Sequence, residues 1–265
     1  MKNPTNAFFL LLAVIFSGCW SKTEQEQQQI TKGDQKQQSK ASFNAQNSDK
    51  KAIAIADSAI QAMGGERAWY NTRYLQWNFF GKRELLWDKN TDRVKIYVPQ
   101  ENLTIHVDLV ADTGNVFQDG EITNERDSVE QYLQKGEQMW ANDSYWLIIP
   151  FKLKDHGVQL SYMGDDTLDN GQKADVIEVT FNKVGFTPQN KYHVYIDQDR
   201  HLVRKWAYFQ KADQSEPSMV TPWADYERYG DLLLSSKRGK LEISELAVFD
   251  SLPAGVFAKA GPYRQ

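Results

Sequence analysis

The chain has 265 residues, a formal net charge of −4 at pH 7 and one cysteine, with acidic and basic residues interspersed. The small negative charge excludes the basic footprint of a nucleic-acid-binding protein, and one cysteine excludes a framework of internal disulfides. The length allows one large domain or two small ones. Eight Trp, 12 Tyr and 13 Phe can supply a core that is stable without disulfides.

The N-terminus carries a short apolar run over residues 7–16. Ten apolar residues are too few to span a bilayer, which takes about 20, but they suit the central region of a signal peptide. The small residues Ser17 and Gly18 follow, where a peptidase would cut. Residues 1–18 are therefore predicted to be a signal peptide, and the mature chain is predicted to begin at Cys19.

The sequence Ser17-Gly18-Cys19 resembles the lipobox of bacterial lipoproteins. The resemblance implies that the Cys19 sulfur receives a diacylglycerol, that the chain is cut just before it, and that the new N-terminus is acylated. The alternative is an incidental cysteine in an ordinary secretory signal, which would leave a secreted protein with one free thiol. Acylation would anchor the chain firmly, because each buried methylene contributes about 0.8 kcal/mol.

Residues 19–49 are predicted to comprise the lipidated cysteine and a disordered polar tether. The stretch is rich in Gln, Lys and Ser, and apart from Ile30 and Phe43 it has little to bury. A flexible chain of about 30 residues has a root-mean-square reach of about 30 Å, which would lift a globular domain off the membrane. Residues 50–265 are predicted to fold as a single domain.

Two segments show the periodicity of amphipathic helices. Ile53, Ala56, Ile60 and Met63 recur at helical spacing and predict a helix over residues 50–63, which Gly64-Gly65 would end. A second helix is predicted over residues 128–141, because Asp127 or Ser128 can cap it and its apolar residues form one broad face.

Most of the remaining sequence predicts antiparallel strands. Leu75, Trp77 and Phe79 alternate with polar residues, and runs beginning near residues 94, 103 and 177 do the same. Further strands are predicted at 158–163, 191–197, 201–211, 219–229 and 241–249. Turn signals such as Asp112-Thr113-Gly114-Asn115 separate the strands at short spacing, which favours a meander over parallel crossovers.

About ten antiparallel strands with two helices define an α+β fold. A sheet this long tends to curl, and two helices are too few to cover both of its faces. The predicted architecture is a strongly curved antiparallel sheet or unclosed β-barrel of about ten strands, with the helices packed in the concave face. Such a shape can leave an apolar cavity between the sheet and the helices.

Two families share sequence features with this domain. The hairpin formed by residues 191–197 and 202–206 resembles the lipoprotein carrier and receptor superfamily of the bacterial Lol system, which implies an unclosed β-barrel that holds acyl chains. Gly64-Gly65 with Trp69, Trp87-Asp88, residues 140–153 and residues 250–253 resemble uncharacterised secreted lipoproteins of Bacteroidetes. These resemblances imply a fold and a location, and no functional residue is transferred from either family.

The sequence offers little for catalysis or metal binding. Its four histidines, His106, His156, His193 and His201, form no zinc motif, and it has no Gly-x-Ser-x-Gly elbow. The residues Asp165, Asp166, Asp169 and Asn170 could form a calcium site, but they lack the full spacing of an EF-hand. We therefore expect no enzyme activity, no cofactor and no metal.

Large aromatic residues are the candidates for ligand contact. The residues predicted to bind an apolar ligand are Trp77, Phe79, Trp87, Trp140, Trp146 and Trp206. The alternative for each is an ordinary place in a β-rich core. The dense segment 140–153 is either the lip of a cavity or a buried strand or turn, entered where Asn142-Asp143 ends the second helix.

Together these observations lead to one functional hypothesis and two alternatives. The hypothesis is a lipid-anchored outer-membrane lipoprotein, facing the periplasm or the surface, that binds a lipid or acyl chain without catalysis. Its expected partners are the membrane, this ligand and an envelope protein, and nucleic acid is excluded. The alternatives are an enzyme that acts on envelope glycans or polymers through paired carboxylates, and a structural lipoprotein that docks another protein.

Overall fold

The computed structural model describes residue 43 and residues 45–264. The predicted signal peptide, Cys19 and most of the predicted tether lie outside the described residues. Within the described part, no helix combines the length and the apolar character that crossing a membrane requires.

The described residues form three α-helices: α1 (Lys50–Ala62), α2 (Gly65–Asn71) and α3 (Arg126–Lys152). The predicted first helix is α1, but Gly64-Gly65 does not lead directly into a strand, because α2 begins at Gly65. Gly64 has φ +119°, and a Cβ atom there would lie 2.5 Å from the carbonyl oxygen of Asp231. Only glycine suits this tight junction between two helices.

The described part of the chain contains fourteen strands. They are β1 (Tyr74–Phe79), β2 (Arg83–Asp88), β3 (Arg93–Val98), β4 (Leu103–Asp108), β5 (Thr113–Gln118), β6 (Glu121–Ile122), β7 (Val158–Thr167), β8 (Lys173–Phe181), β9 (Lys191–Asp197), β10 (Val203–Phe209), β11 (Met219–Pro222), β12 (Ala224–Tyr229), β13 (Leu232–Arg238) and β14 (Leu241–Phe249).

These strands form two antiparallel sheets. The large sheet has the order β12-β13-β14-β1-β2-β3-β4-β5-β6, and the small sheet has the order β11-β10-β9-β8-β7. Neither sheet closes on itself, so the predicted class of an α+β fold with unclosed antiparallel strands is confirmed. The prediction of one sheet of about ten strands with two helices undercounted the elements, because the two-residue strand β6 carries little periodic signal and the single strand predicted over residues 219–229 comprises both β11 and β12.

The chain changes sheets at Trp223, where a single strand over residues 219–229 was expected. Pro222 ends β11 and has no N–H to donate to a ladder. The Trp223 N–H donates to the carbonyl of Arg204 at 2.7 Å, and the Trp223 side chain is buried. The prediction of one strand was wrong because alternation of apolar residues marks a buried face without specifying the sheet.

The third helix is much longer than the predicted segment 128–141. Asn142-Asp143 does not end it. The Asp143 carboxylate instead accepts hydrogen bonds from Nε and Nη2 of Arg83 at 2.7 Å each, which ties this part of the helix to β2. The helix instead kinks at Ile148, which has φ −124° and ψ 20°, next to Pro150. The expectation of a buried strand or turn in residues 140–153 was therefore wrong.

The helices cover one face of each sheet. Helix α3 packs on β3, β4, β5 and β13 of the large sheet, and α1 packs on β7 and β8 of the small one. Gly136 allows α3 to approach β4 closely, since a Cβ atom there would lie 2.9 Å from Ile105 Cγ2. The two apolar cores therefore lie beneath different helices, and the kinked end of α3 lies where they meet.

The C-terminal residues cover the opposite face of the large sheet. Because Ile105 faces α3, its neighbours Thr104 and His106 on β4 point the other way. The Gly261 N–H donates to Thr104 Oγ1 at 2.8 Å, and Lys95 Nζ donates to the carbonyls of Val256 and Lys259 at 3.2 and 2.9 Å. This face is polar yet buried beneath the end of the chain.

Burial of His106 on this face makes stability depend on pH. Burial, aided by the positive charge of Lys95, lowers the pKa of His106 to about 4. Between this value and about 6.5 the unfolded chain binds more protons than the folded one, so stability falls as the pH falls through that window. We expect His106 to remove about 2 kcal/mol of stability between pH 7 and pH 4.5.

Urea unfolding of the wild type and of His106→Gln at both pH values measures this effect. The variant should lose about 2 kcal/mol less than the wild type on acidification. An identical loss in both proteins would show that His106 titrates alike in the folded and unfolded states.

Candidate functional site

Aromatic side chains converge where the two sheets meet at the kinked end of α3. Trp146 packs against both apolar cores and is only partly buried. Its ring centroid lies 4.9 Å from that of Trp206 on β10 and 5.3 Å from that of Phe80 after β1, both with edge-to-face geometry. The ring centroid of Phe79 lies 6.2 Å from that of Trp146, also with edge-to-face geometry. We call Trp146, Trp206, Phe79 and Phe80 the aromatic junction.

The aromatic junction continues into the small sheet. Trp206 stacks on Tyr192 with centroids 5.2 Å apart and meets Trp223 edge to face at 5.8 Å. Tyr192 is partly buried, whereas Trp206 and Trp223 are buried. The aromatic junction therefore continues through Tyr192 and Trp223 as one cluster of rings. Trp206 and Trp223 are buried at its centre, and Trp146 and Tyr192 are partly exposed.

A second aromatic group lies along α3 on the side of the large sheet. Trp87 on β2 meets Trp140 edge to face at 5.2 Å and lies 6.1 Å from Trp69 on α2. Trp69 also stacks on Phe151 at 4.6 Å. Through these contacts α2 and α3 pack against the large sheet.

The structure distributes the six predicted ligand-binding residues between these groups. Phe79, Trp146 and Trp206 belong to the junction, Trp87 and Trp140 belong to the second group, and Trp77 is fully buried in the large core. Only Trp140 and Trp146 are partly exposed. The six residues therefore form no single surface, and their contact with a ligand stays a prediction.

Arg238 is a site residue that the sequence did not reveal. Although it lies in a polar stretch at the end of β13, it is only 3% exposed, and its guanidinium carbon lies 3.5 Å from the ring centroid of Trp223. Its Nη2 donates to the carbonyl of Trp146 at 2.5 Å. That carbonyl lacks its usual helical donor, because the residue four positions on is Pro150. The proline was the one signal in the sequence that an outside donor is needed here.

The charge of Arg238 has carbonyl and hydroxyl oxygens as neighbours but no carboxylate. Its Nη1 donates to Ser235 Oγ and to the carbonyl of Lys237, at 2.8 Å each. In the described part of the chain, no carboxylate oxygen makes an ion pair with it. Burial lowers the pKa of Arg238 to about 9, which leaves the guanidinium protonated at neutral pH.

The buried aspartates, in contrast, are each paired with arginine. Asp143 pairs with Arg83, and Asp197 accepts from Arg204 Nε at 2.6 Å. Asp88 lies 3.4 Å from Arg73 and 3.7 Å from Arg93. Within the described residues, no group of three or more His, Cys, Asp or Glu side chains is arranged to hold a metal ion. These three carboxylates are therefore each held by an arginine.

Comparison with known proteins gives similarity at the level of the fold. Neither a protein-family model nor a curated protein matches the chain. Among solved structures, a LolA superfamily protein from Nitrosomonas europaea is 9% identical, with a TM-score of 0.42 over 78% of this chain and 97% of that chain. A DUF1329 family protein from Desulfovibrio piger is 12% identical, with a TM-score of 0.41 over 78% of this chain and 96% of that chain.

A candidate outer membrane lipoprotein-sorting protein domain from Vibrio parahaemolyticus is 13% identical, with a TM-score of 0.39 over 78% of this chain and 96% of that chain. The solved structures to which this chain is similar thus include a protein of the LolA superfamily, the superfamily that its sequence resembles. Similarity at these identities and TM-scores says nothing about a ligand or an activity.

Proposed function

We propose that this chain is a lipid-anchored protein of the cell envelope that binds a lipid or acyl chain and performs no catalysis. The observation that carries the proposal is the position of Trp146, which contacts both apolar cores and yet stays partly exposed. An apolar chain that enters between the sheets would meet aromatic side chains from both of them. Binding sites for small apolar ligands are typically lined in this way, with a few polar groups that fix orientation.

The kinked helix α3 gives the proposed site a means of opening. The kink separates the regular helix that packs on the large sheet from the last turn, which contacts the small core through Ile149 and Leu153. Because the interrupted helix lacks the hydrogen bond from Pro150 to Trp146, the last turn can move with less disruption of the helix. Each methylene of a ligand buried there would contribute about 0.8 kcal/mol.

The tether would join this domain to the membrane. Ser48 and Asp49 precede α1 and bond to Leu160, since Ser48 Oγ accepts from the Leu160 N–H at 3.0 Å and the Asp49 N–H donates to the Leu160 carbonyl at 2.8 Å. The tether would therefore leave the fold at β7, an edge strand of the small sheet. A lipid attached at Cys19 would hold this edge within reach of the outer membrane.

Replacing Cys19 by Ser should release the protein from the membrane fraction and leave the domain folded. Cys19 is the only acceptor for the thioether lipid, and the described domain contains no cysteine that could substitute for it. Fractionation and palmitate labelling of the wild type and the variant measure the effect, and circular dichroism checks the fold. A Cys19→Ser protein that still sediments with membranes and still labels with palmitate would refute the anchor.

Binding of an acyl ligand is tested with a dansylated undecanoic acid and the full chain carrying Cys19→Ser. Energy transfer from tryptophan to the bound dansyl group reports uptake. Trp146→Asp should weaken binding by about tenfold or more, because a carboxylate at the junction opposes burial of an apolar chain. Tyr70→Asp is the control, since Tyr70 is 72% exposed. Equal binding by both variants would place the ligand elsewhere, and no binding by the parent chain would contradict the proposed function.

A further inference from the structure

Several buried side-chain nitrogens have no hydrogen-bond acceptor among the described residues, and three of them are neighbours beside the aromatic junction. They are Nε of Arg238 and the indole Nε1 atoms of Trp223 and Trp206, and none has a partner among the residues that the structure describes. The side chains are neighbours, because Arg238 lies over the Trp223 ring at 3.5 Å and the Trp223 ring lies 5.8 Å from that of Trp206. Buried donors without acceptors are rare in native proteins, since each loses its bond to water.

Two other arginines, Arg83 and Arg204, have carboxylate partners that Arg238 lacks among the described residues. The side chains of Arg83 and Arg204 are 19% and 21% exposed, and each bonds to a fully buried aspartate. Arg238 is more deeply buried than either, yet it donates to the carbonyls of Trp146 and Lys237 and lies over an aromatic ring. A buried cation normally has an anion beside it, because removing the charge from water is costly.

The unpaired groups are all donors, so their complement is an acceptor with negative charge. Carboxylate and phosphate oxygens accept several N–H bonds at once, and arginine is the side chain that best matches their geometry. A metal cation is unsuited to this place, because the guanidinium would repel it. The cluster is chemically suited to an anion that is brought in from outside the described chain.

We propose that Arg238, with the indole N–H groups of Trp206 and Trp223, binds the anionic headgroup of an amphiphile whose apolar chain lies against Trp146. This inference rests on the proposed function and narrows its ligand to a fatty acid or an acyl phosphate ester. The headgroup site and the apolar site share one residue, since Arg238 donates to the Trp146 carbonyl. Because the donors are buried, the headgroup reaches them only when the partly exposed Trp146 side chain moves aside.

A matched pair of probes tests this assignment: dansylated undecanoic acid and its methyl ester, titrated into the full chain carrying Cys19→Ser. The acid should bind about tenfold more tightly than the ester, the size of one charge-assisted hydrogen bond. Arg238→Met should abolish this preference, so that the variant binds the acid and the ester equally well. Arg228→Met, which removes an exposed arginine from the neighbouring strand β12, should keep it.

The outcomes separate this inference from the proposed function. Equal binding of acid and ester by the parent chain overturns the headgroup site and leaves the apolar site standing, whether or not Arg238→Met folds. Failure of both probes contradicts the proposed function itself. Tighter binding of inorganic phosphate than of the acid, in a competition titration, would mean that the site takes a free anion, and would also overturn the inference.

Discussion

Replacing Arg83 by Met should lower the free energy of unfolding by about 3–5 kcal/mol. Arg83 lies on β2 and donates two hydrogen bonds of 2.7 Å to Asp143, whose carboxylate is fully buried on α3. The variant would leave that carboxylate in the interior without a counter-charge, and removing one partner of a buried pair is far more damaging than replacing both. Urea denaturation at neutral pH measures the loss.

Two companion variants give this prediction its controls. The double variant Arg83→Met with Asp143→Leu should recover most of the lost stability, because it removes the charge together with its partner. Lys135→Met breaks an exposed ion pair with Glu101, at 3.0 Å, and should cost less than about 1 kcal/mol. A single variant no less stable than the double variant would mean that Asp143 finds another partner or that water enters.

Replacing Trp206 by Ala should also cost about 3–5 kcal/mol. The ring is 1% exposed and contacts Trp146 of the aromatic junction together with Tyr192 and Trp223. Its loss would leave a cavity unless the neighbouring rings collapse into the space, and the cost rises with the volume that remains. Denaturant unfolding measures the change in stability.

Tyr70→Ala provides the comparison for an aromatic residue at the surface. Tyr70 is 72% exposed, and its removal should change stability by less than about 0.5 kcal/mol. If Trp206→Ala were as mild as Tyr70→Ala, the two sheets would not be held together by the junction, and the site proposed there would lose its physical basis.

The elements predicted well from the sequence are those whose signals are local. Helix α1 and the strands β9 and β14 lie within a residue of the predicted bounds, because periodic apolar residues and turn signals define them without reference to the rest of the chain. The predicted second helix ends before Asn142-Asp143 because that pair often ends a helix, whereas α3 continues to Lys152. Its continuation depends on Arg83, which lies 60 positions away in sequence and supplies the partner that a local pattern does not contain.

The candidate site was harder to predict than the fold, because its residues are far apart in the sequence. The sequence identifies aromatic residues of the junction as candidates, but it does not show which of them are in contact. Trp146 and Trp206 lie on different elements that come together only in the tertiary fold. Arg238 belongs to a polar turn sequence, Lys237 to Lys240, that is typical of an exposed hairpin. Its burial follows from the free carbonyl of Trp146 and the face of Trp223, neither of which is adjacent in the chain.

The measurement that tests the central claim most directly is mass spectrometry of lipid extracted without covalent cleavage from the purified Cys19→Ser chain. Because this chain carries no acyl group of its own at Cys19, any lipid recovered was bound by the domain. The proposed function predicts lipid or fatty acid in nearly stoichiometric amounts, and much less from Trp146→Asp prepared in parallel. A parent chain that yields no lipid above the Trp146→Asp background, and that takes up no acyl probe, would contradict it.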